Sequence, residues 1–529
     1  MLRGEDYWPR SVTEDLEPVE VDGRRWLGYR GAPVSLYDAV RKAAERHRDD
    51  IAVVDETGES LTYAALMECV TAAAAALARH GIGRGRRLGC LMDNSADFIV
   101  VFLAAGACGA VFCPLPGKLR RQEVVPLATR ARLDLLVCET GKAEDLRAAL
   151  GGVKVVTPDV LLEQGDEDGE VRAGVPGDPE STAILMFTSG TTARAKAVLL
   201  SNRAVMHAVT SYERLLSVTD SDRSIIAVPM YHITGLVAII GLMLSVGGRL
   251  YIHRRLRPAP CLDTLAGERI TFIHASPTVF AMLADNRHRQ PSLPSVRMLA
   301  CGAAHMPVSL IRVLHDWMPD MEFRTVYGLT ETTSPGTVFP DDAAVSPRIG
   351  SSGVPIPGLR VKIVDEEGSE VLWGKRGEIC LSGTNLLTRY ESESPETGLS
   401  GDGWLRTGDI GYVTPDGYLY VVDRLKHMIN RGGEKVWCTD VEETIRSVEG
   451  VRDCCVVGVR DAVYGEAPAA LVVRRPGASL TSSSLRASLR EMLAAYEMPT
   501  RVLFVDRLPQ TAGMKIDKRR ARALLSAMI

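Results

Sequence analysis

Several features are missing from this sequence of 529 residues, and each absence removes a class of function. The N-terminus, MLRGEDYWPR, has no apolar signal core. Net charge is only -4 and no stripe of Lys and Arg alternates with aromatics, so nucleic acid is not an expected partner. The eleven cysteines are odd in number and include no CxxC pair. Cys454 and Cys455 are adjacent, but neighbours on a strand point to opposite faces and should not bridge. The cysteines read as reduced thiols of a cytoplasmic protein. The ten histidines show neither HExxH nor another ligand spacing, which argues against structural zinc. No GxxxxGK[ST] loop occurs. The one long uncharged run, 98–117, is broken by Gly106, Gly109, Pro114 and Pro116. It predicts a buried helix and then a buried strand, with no membrane span.

What is present is a globular composition, 46% hydrophobic and 24% charged, in a chain too long for one core. Residues 1–180 alternate helical runs (36–48, 62–80) with short strands (51–55, 88–92, 110–113, 133–138), the pattern of a largely parallel α/β sheet. A second series follows at 224–229, 249–252, 272–275 and 296–301. Polar loops at 230–235, 276–278, 302–305 and 327–332 fall after its strands, where open α/β sheets gather their ligands. From Gly350 the chain turns to glycine-rich alternating β, which suggests a small barrel-like sheet. The last hundred residues read as a small α+β domain. The expected division is a large domain at 1–422, a hinge at 423–426 and a small domain at 427–529.

The chemistry centres on 185–202, LMFTSGTTARAKAVLLSN. An apolar strand end runs into Thr188, Ser189, Gly190, Thr191 and Thr192, with Lys196 close behind. Short hydroxyl side chains and glycine let main-chain N–H groups approach an anion, and lysine adds charge, a combination suited to polyphosphate. Three further polar motifs follow in order: YGLTE from Tyr327; RTGD ending at Asp409 with DRLK at 423–426; and TAGMKIDK around Lys515.

Together, over about 35–518, these motifs resemble the superfamily of acyl-CoA synthetases, nonribosomal-peptide adenylation domains and luciferases. Enzymes of that family activate a carboxylic acid as an acyl-adenylate and pass the acyl group to a nucleophile, commonly the thiol of coenzyme A. The resemblance implies ATP or AMP, Mg²⁺ and coenzyme A as cofactors. It assigns Thr188, Ser189, Gly190, Thr191, Thr192 and Lys196 to the β- and γ-phosphates, Thr330 to the α-phosphate and Glu331 to Mg²⁺. Asp409 and Arg424 would hold the ribose, and Gly302, Ala303, Ala304, Tyr327 and Gly328 would flank adenine. Lys515 would bridge carboxylate and α-phosphate, then swap by rotation about Lys426 for a face carrying Gly432 and Gly433, the thiol tunnel. His232, Gly235, Thr278 and Thr332 would line a pocket suited to an apolar acyl or aryl acid. Tyr327 is equally compatible with packing alone, and His232 with a satisfied core histidine.

The chain also departs from the family pattern. The phosphate loop usually reads TSGTTGxPKG, whereas Ala193, Ala195 and Ala197 stand here for glycine, proline and glycine. If either glycine position had positive φ, a methyl would cost about 1 kcal/mol. The hinge has His427 for an acid, Cys438 stands for proline, and Gly513 and Met514 are transposed. An acyl-CoA ligase is the leading expectation. A ligase that only thioesterifies an acyl-adenylate supplied by a partner adenylating enzyme is the rival, and a non-catalytic nucleotide-binding scaffold comes third. Monomer and homodimer both remain open.

Overall fold

Four helices begin where a hydroxyl residue meets a periodic apolar run. Ser35, Thr62, Ser95 and Ser201 each accept a hydrogen bond from the main-chain N–H three residues on, satisfying a donor that a helix start leaves unpaired. The helices are Leu36–Arg46, Tyr63–Arg79, Ala96–Ala107 and Asn202–Leu215. The computed structural model describes residues 1–21, 23–163, 177–188, 196–391, 399–511 and 515–527.

The chain divides into two compact units. The first comprises Leu2–Val361 and Leu381–Leu405. Its seven-stranded sheet runs, edge to edge, Arg389–Glu391, Ala197–Ser201, Thr182–Phe187, Val111–Pro116, Arg87–Met92, Leu135–Cys138 and Lys154–Val156. Its nine-stranded sheet has the parallel strands Ile51–Val54, Arg249–Ile252, Arg223–Ile226, Phe272–Ala275, Met298–Cys301 and Glu322–Tyr327 as neighbours. The uncharged run is a buried helix, Ala96–Ala107, followed by the buried strand Val111–Pro116, with Phe98 edge-on to Phe112 at 5.6 Å. Among the described residues no helix is long and apolar enough to cross a membrane. Farther along, the chain forms a buried π-helix, Thr234–Gly241, and then a short α-helix, Leu242–Val246.

The second unit comprises Lys362–Cys380 and Arg406–Ile529 together with Met1. The barrel-like β region includes the antiparallel pair Leu405–Val413 and Leu419–Arg424. Beyond it, Val451–Asp461 and Gly465–Arg474 form a long antiparallel ladder, which Arg501–Phe504 extends in parallel. Cys454 packs with Ile429, Val441 and Leu485 on one face of this sheet. Cys455 packs with Ala521 and Leu525 on the other. All eleven cysteines are free thiols.

In the nine-stranded sheet one carboxylate ties strand starts together. Asp222 is buried and accepts from Arg297 Nε and Nη2 at 2.8 and 2.6 Å, from the Thr271 hydroxyl at 2.6 Å and from the Thr219 N–H at 2.9 Å. Burial alone would raise its carboxyl, yet Arg297, Thr271 and Thr219 hold it below the usual range. A lowered carboxylate stabilises the fold above its unfolded value, near 4, and loses that effect as pH falls through the folded value. Asp222→Asn is expected to cost about 3 kcal/mol in urea denaturation at neutral pH. The gap to wild type should narrow below about pH 4.

Candidate active site

The strands Thr182–Phe187 and Ala197–Ser201 pair antiparallel, Phe187 opposite Ala197, so the residues between them leave and re-enter the sheet at one point. Ser189, Gly190, Thr191 and Thr192 lie outside the described residues, as do Ala193 and Ala195. The two ends are described: Thr188 N–H donates to the Lys196 carbonyl at 2.9 Å, and Lys196 N–H donates to Thr188 Oγ1 at 3.2 Å. The strain anticipated for a methyl at Ala197 is not there. Ala197 is in extended strand, paired with both Phe187 and Glu391, and its methyl is buried in the core.

A residue that the sequence reading missed organises this end of the sheet. The three-residue edge strand Arg389–Glu391 pairs with Ala197–Ser201, Tyr390 opposite Val198. Lys196 Nζ stands 4.8 Å from the centre of the Tyr390 ring, within cation–π range. The Tyr390 hydroxyl donates to Glu331 Oε1 at 2.9 Å. One side chain thus contacts both the lysine expected at phosphate and the carboxylate expected at Mg²⁺. Burial, and then the adjacent Glu331 charge, push the Tyr390 hydroxyl well above its usual pKa, so it stays a donor. No short spacing announces it, since Tyr390 is 59 residues from Glu331.

The turn carrying Glu331 is strained and tightly held. After the strand Glu322–Tyr327, Gly328 passes so close to Ser334 that a Cβ there would lie 1.5 Å from the Ser334 carbonyl oxygen. Thr330–Thr332 form one 3-10 turn, and Thr333 and Ser334 have φ of 54° and 99°. Six described non-glycine residues have positive φ. Three of them, Ala303, Thr333 and Ser334, are in these loops. Buried hydrogen bonds hold the turn in place. Asn385 Nδ2 donates to the carbonyls of Thr332 and Pro335 at 2.9 and 2.6 Å. Thr333 Oγ1 donates to the Asn385 carbonyl at 2.8 Å, and the Leu387 N–H to that of Glu331 at 2.7 Å.

The remaining expected pocket residues also stand at strand ends of this unit. Gly302 follows Met298–Cys301 and donates its N–H to the Ala275 carbonyl at 3.2 Å, with Ala303 and Ala304 exposed beyond it. Thr278 is half-buried in the first turn of Pro277–Asp285, and Thr332 is fully buried. His232 is half-buried with its ring 4.5 Å from that of Tyr231, and Gly235 lies in the π-helix. Asn94, also missed, fixes their loop. Its Nδ2 donates to the carbonyls of Val228 and His253, and its Oδ1 accepts from the Met230 N–H at 2.8 Å.

The second unit holds the other expected residues. Asp409 and Arg424 face each other across paired strands, and Arg424 Nε donates to Asp409 Oδ1 at 2.8 Å, with Asp409 buried. Lys426 lies in the 3-10 turn Leu425–His427 that follows. Asp423 is buried too; burial alone would raise its carboxyl, but His427 and Lys518 hold it below the usual range. Gly432 and Gly433 make the turn between Ile429–Arg431 and Glu434–Val436, both with positive φ. Lys515 is exposed, in a turn where Thr511 N–H donates to its carbonyl at 2.7 Å. The nearby Lys518 is instead half-buried, its Nζ 3.5 Å from Glu442 Oε1.

Among the described residues no group of three or more His, Cys, Asp and Glu gathers to hold a metal ion. Mg²⁺ does not require one. It keeps several waters and takes one or two carboxylates plus substrate phosphate oxygens. Glu331 has acceptor capacity beyond the Tyr390 hydroxyl, so its carboxylate fits that role.

Family models match most of the chain: residues 40–391 that of AMP-binding enzymes, and residues 440–515 that of the AMP-binding enzyme C-terminal domain. A feruloyl-CoA synthase of Amycolatopsis sp is 33% identical over 467 residues, covering 88% of this chain and 94% of that protein. A 3-[(3aS,4S,7aS)-7a-methyl-1,5-dioxo-octahydro-1H-inden-4-yl]propanoyl:CoA ligase of Mycobacterium tuberculosis is 32% identical over 517 residues, 94% of this chain and 99% of that one. Among solved structures, ATP-bound MatB from Rhodopseudomonas palustris superposes with a TM-score of 0.85 at 26% identity, covering 93% and 99% of the two chains. MenE from Bacillus subtilis, in complex with ATP and magnesium ion, gives 0.81 at 26%, covering 92% and 98%.

The turn that carries Glu331 depends on a donor 50 or more residues away, in Asn385. Asn385→Ala leaves two carbonyls without that donor and should cost about 2–4 kcal/mol in chemical denaturation. Asn385→Asp, which keeps the size but loses the amide donor, should be at least as costly.

Proposed function

This chain belongs to the AMP-binding enzyme family, that of the acyl-CoA ligases, and from that premise we propose that it joins a carboxylic acid to coenzyme A through an acyl-adenylate made from ATP. The acid carboxylate attacks the α-phosphorus, the bond to pyrophosphate breaks, and the thiol then displaces AMP from the acyl carbonyl. The observation that carries this reading is the meeting of Lys196 and Glu331 on Tyr390. A cation for phosphate and a carboxylate for a hard metal, held on one ring, suit intact ATP better than AMP alone. Of the three departures in the phosphate-loop pattern, the one at Ala197 falls in extended strand and brings no backbone strain.

Within this reading Thr330 bonds the α-phosphate, and Asp409 with Arg424 holds the ribose. The 302–304 turn and Tyr327 with Gly328 flank adenine. Mg²⁺ at Glu331 supplies charge neutralisation for the phosphates. Lys515 places positive charge where it accumulates as the carboxylate attacks. A pivot at Lys426 would exchange Lys515 for the Gly432–Gly433 face, because one arrangement cannot favour both transition states equally. The acid is an acyl or aryl monocarboxylate, in keeping with pocket residues that are mostly small or apolar and with relatives named for ring-bearing acids. The eleven free thiols suit a reducing, cytoplasmic setting.

Purified protein given ATP, Mg²⁺, coenzyme A and a panel of aryl and alkyl acids is expected to release pyrophosphate and form acyl-CoA, read by mass spectrometry. Thioester formed only from synthetic acyl-AMP, with no pyrophosphate from ATP, would replace this reading by the thioesterification-only one. Lys515→Ala should slow pyrophosphate release by about 10²–10³-fold. Its rate of thioester formation from synthetic acyl-AMP should stay within a few-fold of wild type, and equal loss in both steps would refute the role given to Lys515.

A further inference from the structure

Lys196 and Glu331 carry opposite charges and meet different parts of one side chain, yet among the described residues no ion pair joins them. Lys196 is exposed and Glu331 half-buried, so packing locks neither, and an ammonium and a carboxylate this near each other attract. A direct pair between them would be stronger than the contact each makes now. Something in the fold keeps them from closing.

The backbone supplies it. The segment 385–391 crosses from the carboxylate's turn to the lysine's strand. At its start Asn385 Nδ2 donates to the Thr332 and Pro335 carbonyls, and the Leu387 N–H to the Glu331 carbonyl. One residue on, the Thr388 N–H donates to the Leu199 carbonyl at 2.9 Å, and Arg389–Glu391 then pairs along Ala197–Ser201. The far end is anchored as well, because Glu391 accepts from Arg87 Nη2 at 3.0 Å and both side chains are half-buried. Tyr390 is therefore held from two sides by main-chain bonds and an ion pair. Its ring faces Lys196 Nζ at 4.8 Å, and its hydroxyl, a donor, occupies Glu331 Oε1 at 2.9 Å. Each charge is met by a neutral group. Phosphate oxygens displace a cation–π contact, and a metal ion a single neutral donor, more readily than either displaces an opposite charge.

We propose that Tyr390 is a positioning residue that keeps Lys196 and Glu331 apart, leaving the cation available to the β- and γ-phosphates and the carboxylate to Mg²⁺. The inference rests on the ligase reading for its ligand, ATP with Mg²⁺, and adds to it the means by which the two charges avoid neutralising each other. Without the ring, Lys196 closes on Glu331, and that pair must open before the nucleotide binds, which lowers the apparent affinity.

The test is nucleotide binding to the full chain by calorimetry, which needs no turnover. Tyr390→Leu removes ring and hydroxyl and is expected to bind ATP with Mg²⁺ about tenfold more weakly than wild type. Its affinity for AMP without metal should stay within about threefold, since AMP lacks the phosphates that Lys196 addresses. Tyr390→Phe keeps the ring between the charges and should lose less. Lys196→Gln alone should weaken binding of ATP with Mg²⁺ by about tenfold. Added to Tyr390→Leu, it should cost nothing more or restore affinity, because it removes the group that captures Glu331. Losses that multiply in the double variant would overturn the proposal. So would an equal loss of AMP binding in Tyr390→Leu, Tyr390→Phe as weak as Tyr390→Leu, or a wild type that does not bind ATP with Mg²⁺. Absence of pyrophosphate and thioester from every acid would instead refute the ligase reading, and the binding pattern would still decide the role of Tyr390.

Discussion

A three-residue edge strand brings the expected phosphate lysine and the expected metal carboxylate of the first unit onto one ring. Arg389–Glu391 adds to Ala197–Ser201 through main-chain hydrogen bonds, and that pairing delivers Tyr390 to Lys196 on one side and Glu331 on the other. The exposed Lys196 and half-buried Glu331 would otherwise be free to swing among solvent-facing rotamers, which costs side-chain entropy each time they are used. The aromatic face and its hydroxyl restrain both before any ligand arrives. Preorganised charge of this kind is what phosphate chemistry needs from a protein that contributes no covalent step.

Strain and its restraints sit side by side around that strand. Thr333 and Ser334 adopt left-handed backbone that their side chains disfavour, at about 1–3 kcal/mol each. The Asn385 amide, the Thr333 hydroxyl and the Tyr212–Ser334 pair offset the cost with buried hydrogen bonds. The turn is consequently rigid at the residues assigned to the α-phosphate and the metal, and the wall it forms runs back toward His274. Two buried polar groups near this turn have no partner among the described residues, Asn385 Oδ1 and the His274 imidazole.

Much of the architecture was legible without coordinates because it depends on local rules. Gly109 separates the helical and strand parts of an uncharged run, whose Pro114 lies within the strand, and alternation at Cys454 and Cys455 sends two thiols to separate cores. The motif residues Asp409 and Arg424 were expected at one ligand, and the structure pairs them across a hairpin. A loop pattern read by family habit was less secure. Glycine at the position of Ala197 would have no conformational task in an extended, buried strand, so its replacement is not a defect of the phosphate loop.

The sequence by itself determined the α/β alternation, the order of the polar motifs and the family to which they belong, because helix starts, strand periodicity and motif spacing are properties of neighbours along the chain. Only the tertiary structure decided that Tyr390, Asn94 and Asn385 support the site and that His274 is buried without a partner. Those facts arise from residues tens to more than a hundred positions apart being brought within 3 Å or, for His274, failing to meet any donor or acceptor. Hydrogen bonding is short-ranged in space and indifferent to separation along the chain, so no spacing rule could have announced them.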